Sequence, residues 1–182
     1  MKPLINQVTG VFFILMLMLA CQSRQIAEEN QTDWSGPGQS AVTDDVSQQH
    51  IVQVASASPD HSTLVAAVQA AGLVDVLVNA GPFTVFAPTN QAFDALPAGT
   101  VENLLKPENK SQLQNILEYH VFVGVITENM VMDGRTLNQV NLQNVTLGNK
   151  DGRLMVNDAN ITGSIRVSNG VIHVIDKVLI PG

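Results

Sequence analysis

Helical spacing of apolar residues dominates this chain as far as Tyr119-His120, and short strand-like runs follow it with no further helix. The helical part predicts a first segment over Val46–Val54 and a second over Thr63–Ala71, capped by Ser62 and closed by Gly72. Further turns are expected over Leu73–Asn79, from Thr89 or Asn90 through Phe93 and Leu96, and over Val101–Leu105 behind Thr100. A last helix begins at Pro107 and carries Leu113, Ile116 and Leu117 on one face. One strand interrupts this series: Phe83–Ala87 reads as buried β structure, ended by Pro88.

The runs after His120 are Thr136–Asn138, Asn141–Leu147, Leu154–Val156, Ala159–Thr162, Ser164–Val167 and Val171–Val174. Asp151-Gly152, Asn157-Asp158 and Asn169-Gly170 separate several of them, and Asp-Gly and Asn-Gly pairs supply the positive φ that tight hairpins need. Helices first and hairpin-linked strands afterwards predict an α+β domain and argue against a doubly wound sheet. No internal repeat is visible.

The N-terminal region reads as an address. Val11–Ala20 is an unbroken apolar run, too short to span a bilayer but fitting the hydrophobic core of a signal peptide. Cys21, the single cysteine, follows at once. The stretch resembles a bacterial lipoprotein signal, although Met18 stands where Leu is preferred. That resemblance implies cleavage after residue 20 and diacylation of Cys21, which would become the membrane anchor. Gln22 rather than Asp after the cysteine favours the outer membrane by the same resemblance. The alternative is an ordinary signal peptide with an incidental cysteine. Residues 21–45 are rich in Gln, Ser, Gly, Asn and Asp and keep neither structural period, so they are expected to form a flexible tether. Trp34 falls inside it and is read as incidental. The globular domain is expected over 46–182.

Composition narrows the function. The net charge is −7, and the 9 basic residues are scattered singly, which offers no footprint for a phosphate backbone and argues against nucleic acid. One cysteine excludes an intrachain disulfide, a cysteine metal cage and a CxxC pair.

Three stretches resemble the signatures of the fasciclin-like FAS1 (beta-Ig-H3) family. The first is Thr84–Phe93 (TVFAPTNQAF), which includes Phe86, Pro88, Thr89 and Asn90. The second is Tyr119-His120, and the third is Asn169–Pro181 (NGVIHVIDKVLIP), which includes His173 and Asp176. Their order and spacing cover Val46–Pro181. The resemblance implies a wedge-shaped antiparallel β-sandwich with a layer of short helices, and a role in adhesion or contact at the cell surface. Integrin binding in animal members, tied to the Tyr-His region, is not implied for a lipoprotein of this kind. With one copy of the domain, multivalent adhesion has little support.

No GxSxG, HExxH or phosphate-binding glycine loop occurs, and His50, His61, His120 and His173 lack the spacing of a ligand pair. No catalytic residue, metal or cofactor is therefore assigned, and the chain is read as non-enzymatic. Along its strand, His173 shares a face with Val171 and Ile175, and it is either a satisfied core histidine or a functional one. Tyr119 and His120 stand where a helix gives way to a strand. A buried hydroxyl and an imidazole over orphan carbonyls suit a structural corner, and partner binding stays open. Sequons at Asn30, Asn109, Asn144 and Asn160 would be unused in a bacterium. The expected function is a lipid-anchored envelope protein that binds a protein or polysaccharide. The alternative is a small-ligand or glycan-binding module for uptake or sensing.

Overall fold

The computed structural model describes residues 49–182. The signal-like run, Cys21, the tether and Trp34 lie outside those residues.

Six short helices and seven strands follow the order that the patterning predicts, helices before strands. Helices α1 (Ile51–Ala57), α2 (Ser62–Ala71) and α3 (Val74–Val78) precede strand β1 (Phe83–Pro88), with a single 3-10 turn, Pro59–His61, between α1 and α2. Helices α4 (Asn90–Asp94), α5 (Thr100–Leu104) and α6 (Lys110–Tyr119) lead to β2 (Val121–Val123). Strands β3 (Thr136–Asn138), β4 (Asn144–Lys150), β5 (Arg153–Val156), β6 (Ala159–Val167) and β7 (Gly170–Ile175) complete the domain.

The strands form one sheet in the order β2-β1-β7-β6-β5-β4-β3. All neighbours are antiparallel except β1 and β7, which run parallel from Phe83↔Gly170 to Pro88↔Ile175. The antiparallel arrangement that the family resemblance implies holds at every other pair, and the β1–β7 seam is its one parallel exception. Hairpin turns dictate antiparallel pairing only between successive strands. β1 meets β7 across most of the domain, so packing sets their relative direction. At that seam Gly170 has φ +157°, and a Cβ there would stand 1.9 Å from the Phe83 carbonyl oxygen. Only glycine allows the two backbones to pair so closely.

The central strands are covered on both faces, so β1 is buried from Thr84 to Pro88. On one side Val85, Ala87 and Ile172 pack against Ile51, Leu64, Val68, Leu77, Leu113 and Leu117 from the helices. On the other, Phe86 and Ile175 pack with Leu137, Val145, Leu147 and Val156, so the sheet curls over its own centre. The Val140 N–H, beyond β3, donates to the Val121 carbonyl at 2.9 Å, which brings the two edges of the sheet together.

Local differences have local causes. α1 starts at Ile51 because His50 forms a capping box: its Nδ1 accepts from Gln53 N–H, while the Gln53 side chain accepts from His50 N–H. Ser62 and Thr100 are first helical residues and not caps. The Asn90 side chain, from elsewhere in the chain, accepts from the Thr63 N–H at 3.0 Å instead. Thr89 caps α4. Residues 159–167 form one strand where two were expected, with a register irregularity between Ile161 and Gly163.

Candidate functional site

The first and third motif regions meet at the backbone of one residue, Ile126. The buried Thr84 hydroxyl donates to the Gly124 carbonyl at 2.7 Å and accepts the Ile126 N–H at 2.9 Å. His173, fully buried beside it, lies 2.8 Å from the Ile126 carbonyl through Nε2 and 2.7 Å from the Ser164 hydroxyl through Nδ1. A carbonyl only accepts, so Nε2 carries the proton and Nδ1 accepts from Ser164. Phe86, paired with His173 across the parallel seam, stacks on its ring at a centroid distance of 5.7 Å. Burial lowers the pKa of His173. The imidazole is thus a neutral clamp on the segment beyond β2, with both nitrogens occupied.

Tyr119 and His120 are 5% and 2% exposed. The Tyr119 hydroxyl donates to the Asn144 carbonyl at 3.0 Å and accepts from Asn157 Nδ2 at 3.2 Å. It therefore ties the end of α6 to the start of β4 and to the β5–β6 turn. His120 Nδ1–H donates to the Ile116 carbonyl at 2.8 Å, one of the orphan acceptors of the last helical turn. Its Nε2 accepts from the Leu179 N–H at 3.0 Å and so pins the C-terminal segment. Burial holds the His120 pKa down to about 4, so the ring is neutral and serves the helix end through its hydrogen bond to Ile116 rather than through charge. Both side chains are buried, and the Tyr119 hydroxyl and both His120 nitrogens are taken up by hydrogen bonds within the domain.

The remaining motif residues occupy joints of the framework. Pro88 ends β1 opposite Ile175, and Phe93 packs against the helical core. Asn90 Nδ2 also donates to the Pro59 carbonyl at 2.9 Å. Asp176 accepts from the Asn160 N–H at 2.8 Å and from Asn160 Nδ2 at 2.6 Å. Asn169, read from the sequence as half of a turn pair and as the start of the third motif, has a larger role. Its Oδ1 accepts from the Ile51 N–H at 3.0 Å, and its Nδ2 donates to the carbonyls of Leu77 and Asn79 at 2.7 and 2.9 Å. One buried side chain thus joins α1, α3 and the β6–β7 turn. Among the described residues no group of three His, Cys, Asp or Glu side chains comes together as a metal site would require.

A groove that sequence inspection missed lies on the helical side. Its volume is about 310 Å³, and its walls come from α1, α2, α3, β1, β2 and the end of α6. Val52, Val68, Leu77, Phe83, Leu117 and Val121 form much of the interior. Val76, Val123 and Val140 lie at its more open parts, being 52%, 63% and 40% exposed. Gln69, Glu118 and His120 are its polar lining residues, and both His120 nitrogens are already used. Each lining valine or leucine is ordinary in the sequence, and only the fold brings them around a cleft.

Comparison with known proteins agrees with the motif reading. A family model described as the fasciclin domain matches residues 59–181. A Synechocystis sp. protein, sll1483, is 51% identical over 157 residues, covering 86% of either chain. The cell surface glycolipoprotein MPB83 of Mycobacterium bovis is 39% identical and covers 86% of this chain and 69% of its own. The immunogenic protein MPB70 of the same species is 36% identical over 85% of this chain and 79% of its own. Among solved structures, a FAS1 domain pair from the insect cell adhesion molecule Fasciclin I superposes with a TM-score of 0.67 at 18% identity, which shows the fold alone. That match covers 73% of this chain and 51% of the insect chain.

Proposed function

Since the chain belongs to the fasciclin-domain family, we propose that it is a non-enzymatic, lipid-anchored protein of the cell envelope whose domain binds another protein or a polysaccharide at the cell surface. The observation that carries this reading is the relationship to MPB83, whose name is cell surface glycolipoprotein, in a chain with an apolar run directly before its sole cysteine. The motif residues support a non-catalytic domain, since Thr84, Tyr119, His120 and His173 are buried and each holds a backbone carbonyl or N–H of the framework.

The anchor is Cys21, with cleavage after residue 20 and a tether over 21–45. Some two dozen flexible residues place the domain about 25–30 Å from the membrane. Replacing Cys21 by Ser should move the protein from the membrane fraction to the soluble one, and retention on membranes would defeat the anchor reading. Deletion of the gene should lower attachment of cells to surfaces or to one another. Unchanged attachment, with no envelope protein or polysaccharide recovered by pull-down, would defeat the adhesion reading.

A second reading, a small-ligand module, is favoured by the groove of about 310 Å³, a volume within the range of ligand sites. Its lining offers few of the convergent polar groups that a sugar needs, so the glycan form of this reading has less support.

A further inference from the structure

We infer that the groove between the helices and the β1–β2 edge binds one uncharged lipid, a linear hydrocarbon chain with a hydroxyl-bearing head placed at Glu118. The inference rests on the small-ligand reading and adds the ligand's chemistry. The interior presents aliphatic and phenyl surface, so whatever enters it must be able to lose its water without needing hydrogen bonds in return. An apolar cavity of ~150 Å³ takes one benzene, so a groove of about 310 Å³ suits a hydrocarbon segment of roughly a dozen carbons. The exposed faces of Val76, Val123 and Val140 extend the apolar path outwards for a longer chain.

Charge selects the head. Glu118 is half-buried in the lining, and no lysine or arginine lines the groove with it. A carboxylate there accepts a hydrogen bond from a hydroxyl, whereas a fatty-acid carboxylate or a phosphate would face like charge across a partly desolvated gap. The net charge of −7 adds to that repulsion. An alcohol or monoacylglycerol head fits, and an anionic head does not.

The test uses the full-length chain with Cys21→Ser, purified without detergent, and titrates it with monodecanoylglycerol and with decanoate while backbone amide NMR shifts are followed. Expected are shifts in α1, α3 and β2, saturation at one ligand per chain, and affinity for the neutral lipid about tenfold above that for decanoate, the factor that 1.4 kcal/mol represents. Ala55→Phe, placed in the half-buried wall supplied by α1, should weaken binding by about tenfold or more while thermal unfolding shows an intact fold. Glu118→Lys should erase or reverse the preference over decanoate. Equal binding of both ligands, or a preference that Glu118→Lys leaves unchanged, overturns the head assignment while the small-ligand reading stands. No uptake of either ligand by the folded protein overturns both. Uptake that Ala55→Phe does not weaken overturns the groove as the site. A dimer that Ala55→Phe dissociates, without lipid uptake, overturns it in favour of a second copy of the chain.

Discussion

His120 carries the clearest pH dependence at the scale of a residue. Its pKa falls from the ordinary histidine value of 6.5 to about 4 in the fold, chiefly because burial penalises the charged ring. The unfolded chain therefore binds the proton more readily than the native one between those values. Stability from this group is fully present above pH 6.5 and is lost as pH falls through about 4. The loss is about 3 kcal/mol. His173 shifts in the same direction, for the same leading cause. Urea unfolding at pH 7 and pH 4 should show the decline, and His120→Gln should flatten it. Tyr119 makes a second case. Removing its hydroxyl in Tyr119→Phe strips a donor from the Asn144 carbonyl and an acceptor from Asn157, for an expected cost of about 1–3 kcal/mol in denaturant unfolding. Tyr119→Ala also empties part of the second core and should cost about 3–5 kcal/mol. Unchanged stability in Tyr119→Ala, with loss of a binding activity, would return the pair to partner recognition.

At the scale of elements, the turns and the parallel seam respond to different chemistry. Asp151-Gly152 has positive φ at both residues, 53° and 80°, as its composition foretold. Asn169-Gly170 looked like the same device, yet Asn169 is absent from the positive-φ residues and works through its side chain, while Gly170 exists for the approach of β1. Gly170→Ala should therefore open the β1–β7 pairing, with an expected cost of about 3 kcal/mol or more, and amide exchange should rise in both strands. Leu142 gives the opposite expectation. It sits at φ 66° with 80% of its surface exposed, so Leu142→Gly relieves backbone strain without losing burial. The melting temperature should hold or rise, by an amount corresponding to up to about 1 kcal/mol. The Lys177–Asp158 pair, at 2.9 Å but largely exposed, warrants no such expectation, since surface ion pairs contribute little.

At the scale of the whole molecule, a domain with two cores shares its central strands between a helical layer and a curled half-sheet. α6 joins the two, since Leu113 and Leu117 lie in the first core and Tyr119 in the second. Damage at the Tyr119-His120 corner should therefore unfold the domain in one cooperative step, with far-UV and near-UV circular dichroism changing together. The order of helices and strands, the α+β class and the Asp-Gly hairpin were legible in the sequence because each depends on residues a few positions apart. Apolar period and turn chemistry act at that range, and the three motifs identified the family from the same information. Tertiary structure alone decided the parallel direction of β1 and β7, the reach of Asn169 to α1 and α3, and the use of Asn90 to cap α2. It also drew scattered valines and leucines around one groove beside Glu118. Those features join residues that lie far apart in the chain, and no local period records which distant groups will meet once the chain buries its apolar surface.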